Sequence, residues 1–137
     1  MVGILIVAHG AFGEALIHGA SHVLGKRPLQ VRQLGVTVHD DPEAILPQAQ
    51  ELVRQLDSGQ GVLVLTDILG ATPSNIGTRL LKPGKVEGAS GASLPMLIRA
   101  LTYRDSPLAN VVEKALSGSR EGAVRLSADS SHAANRG

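Results

Sequence analysis

The chain has 137 residues, with 13 Lys and Arg against 12 Asp and Glu, a formal net charge of +1, and no Cys or Trp. This length fits one domain that buries roughly 70% of its unfolded surface, and the lack of Cys excludes disulfides, thiolate nucleophiles and Cys-ligated metals. Because the sequence has neither a basic block nor a set of aromatic rings on which bases stack, nucleic acid is not expected as a partner.

The ends of the chain and its apolar runs bear on location. The amino terminus has no basic region followed by a small-residue cleavage site, and no apolar run approaches the ~20 residues that cross a bilayer. The absence of Cys fits a reducing compartment. We therefore expect a soluble, cytoplasmic protein without direct membrane insertion.

Strand-length apolar runs alternate with helical patterns, which is typical of βα units around a mostly parallel sheet. The first strand is predicted at 3–8, where consecutive apolar residues indicate burial on both faces. The first helix follows and ends at Gly25, and a second strand is predicted at 29–36. The apolar stripe of the first helix consists of Phe12, Leu16, Ala20 and Val23.

The second helix has clear signals at both ends. Asp41 is a suitable N-cap, Pro42 fits the first turn, and Gly59 lies just beyond the predicted end. Pro47 inside this helix should remove one backbone hydrogen bond and kink the first turns. The predicted apolar stripe is Ile45, Ala49, Leu52, Val53 and Leu56.

The second half of the chain predicts a third strand at 61–67, a third helix, and a weaker fourth strand at 85–91. Two helices then follow, separated at "DSP", and a short strand is predicted at 123–126. Because it follows two successive helices, this strand is expected to pair antiparallel or with a second subunit. The fold class is thus a doubly wound α/β domain, predicted at 1–126, with helices on both faces of the sheet. Residues 127–137 are predicted to form a polar, disordered tail.

His9 and Asp67 end the first and third predicted strands. Ligands of open α/β sheets bind beyond the carboxyl ends of the strands, and the common strand order 2-1-3-4 makes these two strands neighbours. A carboxylate beside an imidazole holds the proton on one ring nitrogen and leaves the lone pair of the other free to attack an electrophile. A lone strand-end His is more often structural, so the predicted catalytic pair depends on the features around it.

Two loops that open helices supply the expected electrophile site. Thr72 is a suitable cap and Pro73 a suitable first helical residue, while the loop at Gly10 opens the first helix. Backbone N–H groups at a helix start favour an anion, with roughly half a positive charge at each start. A phosphoryl group fits this description. The predicted phosphate-binding residues are Gly10, Ala11, Phe12, Thr72 and Ser74.

The other histidines lack this context. His18 and His22 have the i, i+4 spacing of metal ligands, but two ligands without a third indicate a solvated helix face. His39 borders a helix cap and His132 lies in the tail. Phe12 is interpreted as a hydrophobic anchor of the first helix. No metal and no cofactor are expected.

The segments "IVAHGAFGEAL", "GVLVLTDILGATPSN", "GASLPML" and "GSREGAVRL" together resemble the enzyme IIA component of the mannose-family bacterial sugar phosphotransferase system. The resemblance spans residues 1 to about 126, with the motifs in the same order. It implies a four-stranded parallel sheet completed by a fifth strand exchanged between the subunits of a homodimer. The chain departs from the family pattern "D-x-x-G-G-S-P", often with Trp, by having "DILGATP" there.

The resemblance also implies roles for the site. His9 matches the histidine that accepts phosphate from the phosphorylated histidine-containing phosphocarrier protein and passes it to a IIB partner. Asp67 matches the aspartate that orients that ring, and Thr72 stands where the family usually has serine. This implies a phosphotransferase working by a phosphohistidine relay.

Two other functions remain open at this point. Phosphorylation of the same residue would also suit a regulatory sensor of carbon or energy status, with a target protein in place of IIB. A tetrapyrrole metal chelatase shares "ILIVAHG" at its first strand, but it needs further His or Glu ligands in the cleft, for which this chain offers no convincing second histidine.

Overall fold

A computed structural model describes residues 1–128 of the chain. Nine elements follow one another along it, and the pattern of alternating strands and helices predicted from the sequence is confirmed. In chain order they are β1 (Gly3–His9), α1 (Phe12–Leu24), β2 (Val31–Val36), α2 (Pro42–Leu56), β3 (Val62–Thr66), α3 (Thr72–Leu80), β4 (Val86–Ser90), α4 (Leu94–Thr102) and α5 (Leu108–Gly122).

The four strands form one parallel sheet in the order β2-β1-β3-β4, as predicted. Strand β1 lies at its centre and all of its residues except His9 are buried. Because side chains alternate across a strand, Ile4 and Ile6 belong to the core cluster packed against α1, α4 and α5. Leu5 and Val7 belong to the other cluster, under α2 and α3. The helices on both faces thus fix β1 firmly.

The predicted ends of α1 and α2 are confirmed. Gly25 adopts a left-handed conformation with φ of 83° after the last turn of α1, and its amide donates to the Ser21 carbonyl. At the start of α2 the Asp41 carboxylate accepts from the Glu43 amide at 3.0 Å. Pro47 stays within the helix, which runs on to Leu56.

Three local predictions are wrong. Ala71 rather than Thr72 is the N-cap of α3, and Thr72 is its first helical residue. Strand β2 begins at Val31 instead of residue 29, because Gln30 has a positive φ of 53° that turns the chain just before it. Phe12 and Val23 of the predicted apolar stripe of α1 are exposed, so neither anchors that helix to the core.

The predicted carboxyl-terminal strand does not form within the single chain. Helix α5 runs to Gly122, and residues 123–127 have no regular secondary structure and join none of the four strands. A strand needs a partner for its backbone groups, and the predicted alternative partner is a second subunit. Of the predicted tail, residues 129–137 lie outside the described residues.

Arg104 fastens the amino-terminal ends of β1 and β2. It is 8% exposed, and its guanidinium donates to the carbonyls of Val2 (2.9 and 3.1 Å), Leu29 (2.6 Å) and Gln30 (2.8 Å). Burial lowers the pKa of this guanidinium, and the charge of neighbouring Asp105 acts in the opposite direction. The four hydrogen bonds supply donors to the Val2 and Leu29 carbonyls and add a second donor to the Gln30 carbonyl, which also accepts from the Ile4 amide.

We expect Arg104→Ala to lower the free energy of unfolding by about 3 kcal/mol, because it removes the guanidinium donors from the buried Val2 carbonyl and from the Leu29 carbonyl. The matched control is Arg120→Ala on the exposed surface of α5, which should change stability by less than about 0.5 kcal/mol. Urea unfolding followed by circular dichroism measures both values. Equal stability of the two variants would contradict the role assigned to Arg104.

Candidate functional site

The site lies at the carboxyl ends of β1 and β3, where the parallel register brings the two strands together. Residues Gly3 to Val7 of β1 pair with Val62 to Thr66 of β3, so His9 and Asp67 leave the sheet side by side. The switch point lies between β1 and β3, because the chain passes from β1 to β2 on one side and then returns from β2 past β1 to β3 on the other. The predicted juxtaposition of His9 and Asp67 is therefore present.

A single carboxylate oxygen holds both the backbone and the ring of His9. Oδ2 of Asp67 accepts from the His9 amide at 2.9 Å and lies 2.8 Å from the ring nitrogen Nδ1. The other oxygen, Oδ1, accepts from the amide of Ile68 at 2.9 Å. Since an ionised carboxylate only accepts, Nδ1 carries the proton and Nε2 has the free lone pair.

The two partners differ in burial. The side chain of His9 is 51% exposed, whereas that of Asp67 is 14% exposed. Partial burial raises the pKa of the Asp67 carboxyl, but the hydrogen bonds from the His9 amide, the His9 ring and the Ile68 amide outweigh it. The net result is a pKa below the ordinary aspartate value, so the carboxylate is ionised at neutral pH.

The amides at the two helix starts differ in availability. The Gly10 amide donates to the Val36 carbonyl at 2.9 Å and is thereby used by the fold, so the predicted phosphate-binding role does not extend to that amide. Within residues 1–128 the amides of Phe12 and Thr72 have no acceptor, as is general for the first turn of a helix. Ala11 directly precedes α1 at the same edge.

Ser74 holds the loop that follows Asp67. Its hydroxyl oxygen accepts from the Gly70 amide at 2.9 Å and it is buried, whereas Thr72 is exposed. The hydroxyl proton of Ser74 is still available for donation. The sequence predicts Ser74 as a phosphate ligand but does not reveal that its hydroxyl holds the loop. It also does not reveal the contribution of the Ile68 amide, because a backbone donor has no signature in the residue type.

A cavity of about 170 Å³ lies beside the pair, between α3 and the strands β3 and β4. Thr66, Leu69, Ser74 and Ser90 line it, while His9 and Asp67 do not. The imidazole is therefore presented on an open surface and not inside a pocket that encloses a small molecule. Such an exposed position suits a reaction partner that is itself a protein.

Apolar side chains surround this open surface. Phe12, Ile68 and Leu69 are 41%, 58% and 82% exposed, and all three belong to the loops and helix start next to His9 and Asp67. Exposed apolar clusters with a polar surround are typical of protein contact surfaces. Ile68 and Leu69, which lie in the segment where this chain departs from the family pattern, are thus exposed to a partner's approach.

The remaining histidines lie elsewhere. The rings of His18 and His22 are 4.8 Å apart on the exposed face of α1. Within residues 1–128 no group of three or more His, Cys, Asp or Glu side chains is arranged to hold a metal ion. The chelatase interpretation has no support from these residues. The same part of the chain contains no helix with the length and apolar character needed to span a bilayer.

Fold and site together define the class: a parallel α/β domain that presents a histidine, oriented by a carboxylate, at the switch point of its sheet. Residues 3–116 match the EIIA-man family, described as the PTS system fructose IIA component. The chain therefore belongs to this family of phosphotransferase-system IIA components, which confirms the resemblance seen in the sequence.

Individual relatives agree with this assignment. The chain is 28% identical to the PTS system mannose-specific EIIAB component of Escherichia coli K12 over 130 residues, which cover 93% of this chain and 40% of that protein. The chain thus spans about 40% of the length of this curated relative.

Two solved structures resemble the fold over nearly their whole length. The phosphotransferase system component EIIA from Streptococcus agalactiae has a TM-score of 0.81 and 28% identity, covering 91% of this chain and 97% of that one. The PTS IIA protein associated with the fucose utilization operon of Streptococcus pneumoniae has a TM-score of 0.78 and 26% identity, covering 91% and 96%.

The lowered pKa of Asp67 predicts how stability depends on pH. Its carboxyl is more acidic when folded than when unfolded, so the unfolded chain takes up the proton first as pH falls. The stabilisation is complete above the unfolded value of about 3.9 and is lost as pH falls through the folded value. At neutral pH we expect Asp67→Asn to be less stable than the wild type by about 1 kcal/mol.

Urea unfolding of the wild type and Asp67→Asn between about pH 7 and pH 3 measures this difference, which should shrink below about pH 4. Glu113→Gln, on the exposed surface of α5, serves as the matched control. A stability difference that stays constant over the whole pH range would show that the carboxylate of Asp67 is not held by these hydrogen bonds.

Proposed function

We propose that the protein relays a phosphoryl group, with His9 as acceptor from the phosphorylated histidine-containing phosphocarrier protein and as donor to a IIB partner. The single observation that carries this proposal is the 2.8 Å contact between Nδ1 of His9 and Oδ2 of Asp67 on a half-exposed ring. It leaves Nε2 as the nucleophile. The matched family and the mannose-specific relative favour this relay over the regulatory alternative.

The proposed transfer exchanges one nitrogen–phosphorus bond for another. The lone pair of Nε2 attacks the phosphorus of the carrier's phosphohistidine in line, and the electrons of the breaking bond return to the carrier's ring nitrogen. The phosphorylated ring of His9 keeps its proton on Nδ1 and becomes positively charged. The ionised Asp67 carboxylate stabilises that charge through a short, charge-assisted hydrogen bond. Transfer to IIB reverses the same steps.

The developing charge on the phosphoryl oxygens needs donors that are already in place. The unpaired amides at the starts of α1 and α3, together with the hydroxyls of Thr72 and Ser74, are the proposed donors. Two helix starts contribute partial positive charge in addition. Phosphoryl transfer depends mainly on this kind of positioning and electrostatic stabilisation, so a rigid sheet edge with few moving parts suits it.

The exposed apolar side chains of Phe12, Ile68 and Leu69 form the proposed contact surface for both partners. Carrier and IIB must use this surface in turn, because the same Nε2 first accepts and later donates the phosphoryl group. A weak, transient interface is therefore expected, and an open site permits it.

We expect His9→Ala to abolish labelling by radioactive phosphoenolpyruvate in the presence of enzyme I and the phosphocarrier protein, because within residues 1–128 no other histidine has a ring nitrogen in contact with a carboxylate. The wild type should carry an acid-labile, base-stable phosphate, as expected of phosphohistidine. His18→Ala and His22→Ala, on the exposed face of α1, are the matched controls and should label like the wild type. Labelling that persists in His9→Ala would refute the assignment.

We also infer that the protein forms a homodimer in which residues 123–126 pair with the free edge of β4 in a second copy. Within the described chain, β4 pairs along its length with β3, and its other edge is bridged only at Val86, to Lys82, so the backbone groups of that edge beyond Val86 are unpaired. Leu126 is 93% exposed and Val124 is 45% exposed, an unfavourable state for apolar side chains in a single chain. Adding a strand to β4 would bury both.

We expect Leu126→Asp to shift the protein from dimer to monomer, because a buried unpaired carboxylate costs several kcal/mol at such a contact. Size-exclusion chromatography with light scattering measures the mass. Leu29→Asp, which changes another exposed leucine, next to β2 at the edge of the sheet opposite to β4, should leave the dimer intact. A monomeric wild-type protein at high micromolar concentration would contradict the inferred exchange.

A further inference from the structure

The turn after His9 is fastened to β2 as well as to Asp67. The register of β1 and β2 pairs Ala8 with Gly35 and His9 with Val36. Beyond the last pair, the Gly10 amide still donates to the Val36 carbonyl at 2.9 Å. The peptide between His9 and Gly10 is therefore held from the β2 side of β1, whereas Asp67 holds His9 from the β3 side.

Gly35 allows this close approach because it has no side chain. A Cβ atom at position 35 would lie 2.3 Å from the Gly10 carbonyl oxygen and 3.3 Å from its carbonyl carbon. Ordinary carbon–oxygen contacts are about 3.3 Å, so any other residue at this position would displace the Gly10 carbonyl by roughly 1 Å. The Gly10 carbonyl oxygen belongs to the backbone and the added Cβ atom would be bonded directly to the backbone at position 35, so no flexible side chain can absorb the displacement.

We propose that Gly35 is a positioning residue for His9, an inference that rests on the phosphoryl relay proposed above. Gly10 follows His9 directly, and Oδ2 of Asp67 accepts from both the amide and the ring of His9. A shift of the turn therefore strains both hydrogen bonds together. Gly35 acts without touching the phosphoryl group, through the backbone that carries the nucleophile.

The same turn also leads into α1, whose first amides are proposed phosphoryl donors. Gly10 has a left-handed φ of 53°, and Ala11 and Phe12 follow it without an intervening residue. A displaced Gly10 carbonyl thus moves nucleophile and donors relative to each other. Two of the three side chains of the proposed contact surface, Ile68 and Leu69, lie on the β3 side of His9 and keep their place, and only Phe12 moves with the turn. We therefore expect an effect on kcat and little effect on KM.

Gly35→Ala tests the proposal against Gly3→Ala as the matched control. A Cβ at Gly3 would lie 2.4 Å from the Leu56 carbonyl oxygen, which is a backbone clash of the same kind. Gly3 is at the other end of β1, about 20 Å from His9 at the usual rise per residue. Both variants should lose stability, so phosphorylation is measured at a temperature where circular dichroism shows both to be folded.

The expected result is a fall in kcat for labelling by the phosphorylated carrier of about 10- to 100-fold in Gly35→Ala, because a misplacement of 1 Å has effects of this size. KM should change by less than about threefold, and Gly3→Ala should keep kcat within about twofold of the wild type. A Gly35→Ala protein that labels at the wild-type rate, or a Gly3→Ala protein that is slowed as much, would overturn the proposal.

Nitrogen-15 NMR of the His9 ring supplies a readout that a loss of stability alone would not move. In the neutral wild-type ring the proton should reside on Nδ1, and in Gly35→Ala it should be shared between Nδ1 and Nε2, while Gly3→Ala stays like the wild type. An unchanged tautomer in Gly35→Ala would count against the proposal. If the wild type is not labelled at all, the relay is wrong, and the tautomer comparison still decides the role of Gly35.

Should Gly35→Ala fail to fold, amide hydrogen exchange on the wild type tests the same contact. The Gly10 amide is then expected to exchange as slowly as the amides of β1, since it donates to Val36 in a turn packed on Gly35. Exchange as fast as that of the Phe12 amide, which lacks an acceptor among the described residues, would refute the proposal.

Discussion

The organisation of the site depends on one oxygen atom, Oδ2 of Asp67, which accepts from both the amide and the ring of His9. Because the amide belongs to the last residue of β1 and the carboxylate follows β3, the orientation of the imidazole is set by the register of two central strands. The ring has little freedom to choose another tautomer. In the proposed relay, the same carboxylate would balance the positive charge of the phosphorylated ring.

The rest of the domain keeps these two strand ends fixed and leaves their surroundings open. Strand β1 is buried on both faces between two separate core clusters, so its carboxyl end cannot shift without disturbing both. The loops beyond the strands are exposed, and they present the apolar side chains of the proposed contact surface. The strand that carries the imidazole is thus rigidly packed, while the proposed contact surface lies in exposed segments that contribute little to the core.

Much of this could be predicted from residue patterns, because hydrophobic runs and capping residues act locally. The burial of β1, the Asp41 cap and the meeting of His9 with Asp67 follow from such signals together with the usual strand order. Other features depend on backbone geometry that residue types do not encode. Thr72 is predicted to cap α3, but Ala71, which has an extended backbone conformation, is the N-cap. Residues 123–126 have a strand-like sequence, yet a strand requires a partner that one chain does not provide.

Arg104 stabilises the end of the sheet that lies opposite to His9 and Asp67. It ties the amino-terminal ends of β1 and β2 through carbonyls, so the integrity of that end does not depend on the loops at the opposite edge. The exposed side chains of Ile68 and Leu69 can therefore change over evolutionary time without loosening the scaffold. Under the proposed relay, gene duplicates that differ at these two side chains would gain new partner preferences while inheriting an unchanged pair of His9 and Asp67, which would keep parallel relays in one cell from cross-talk.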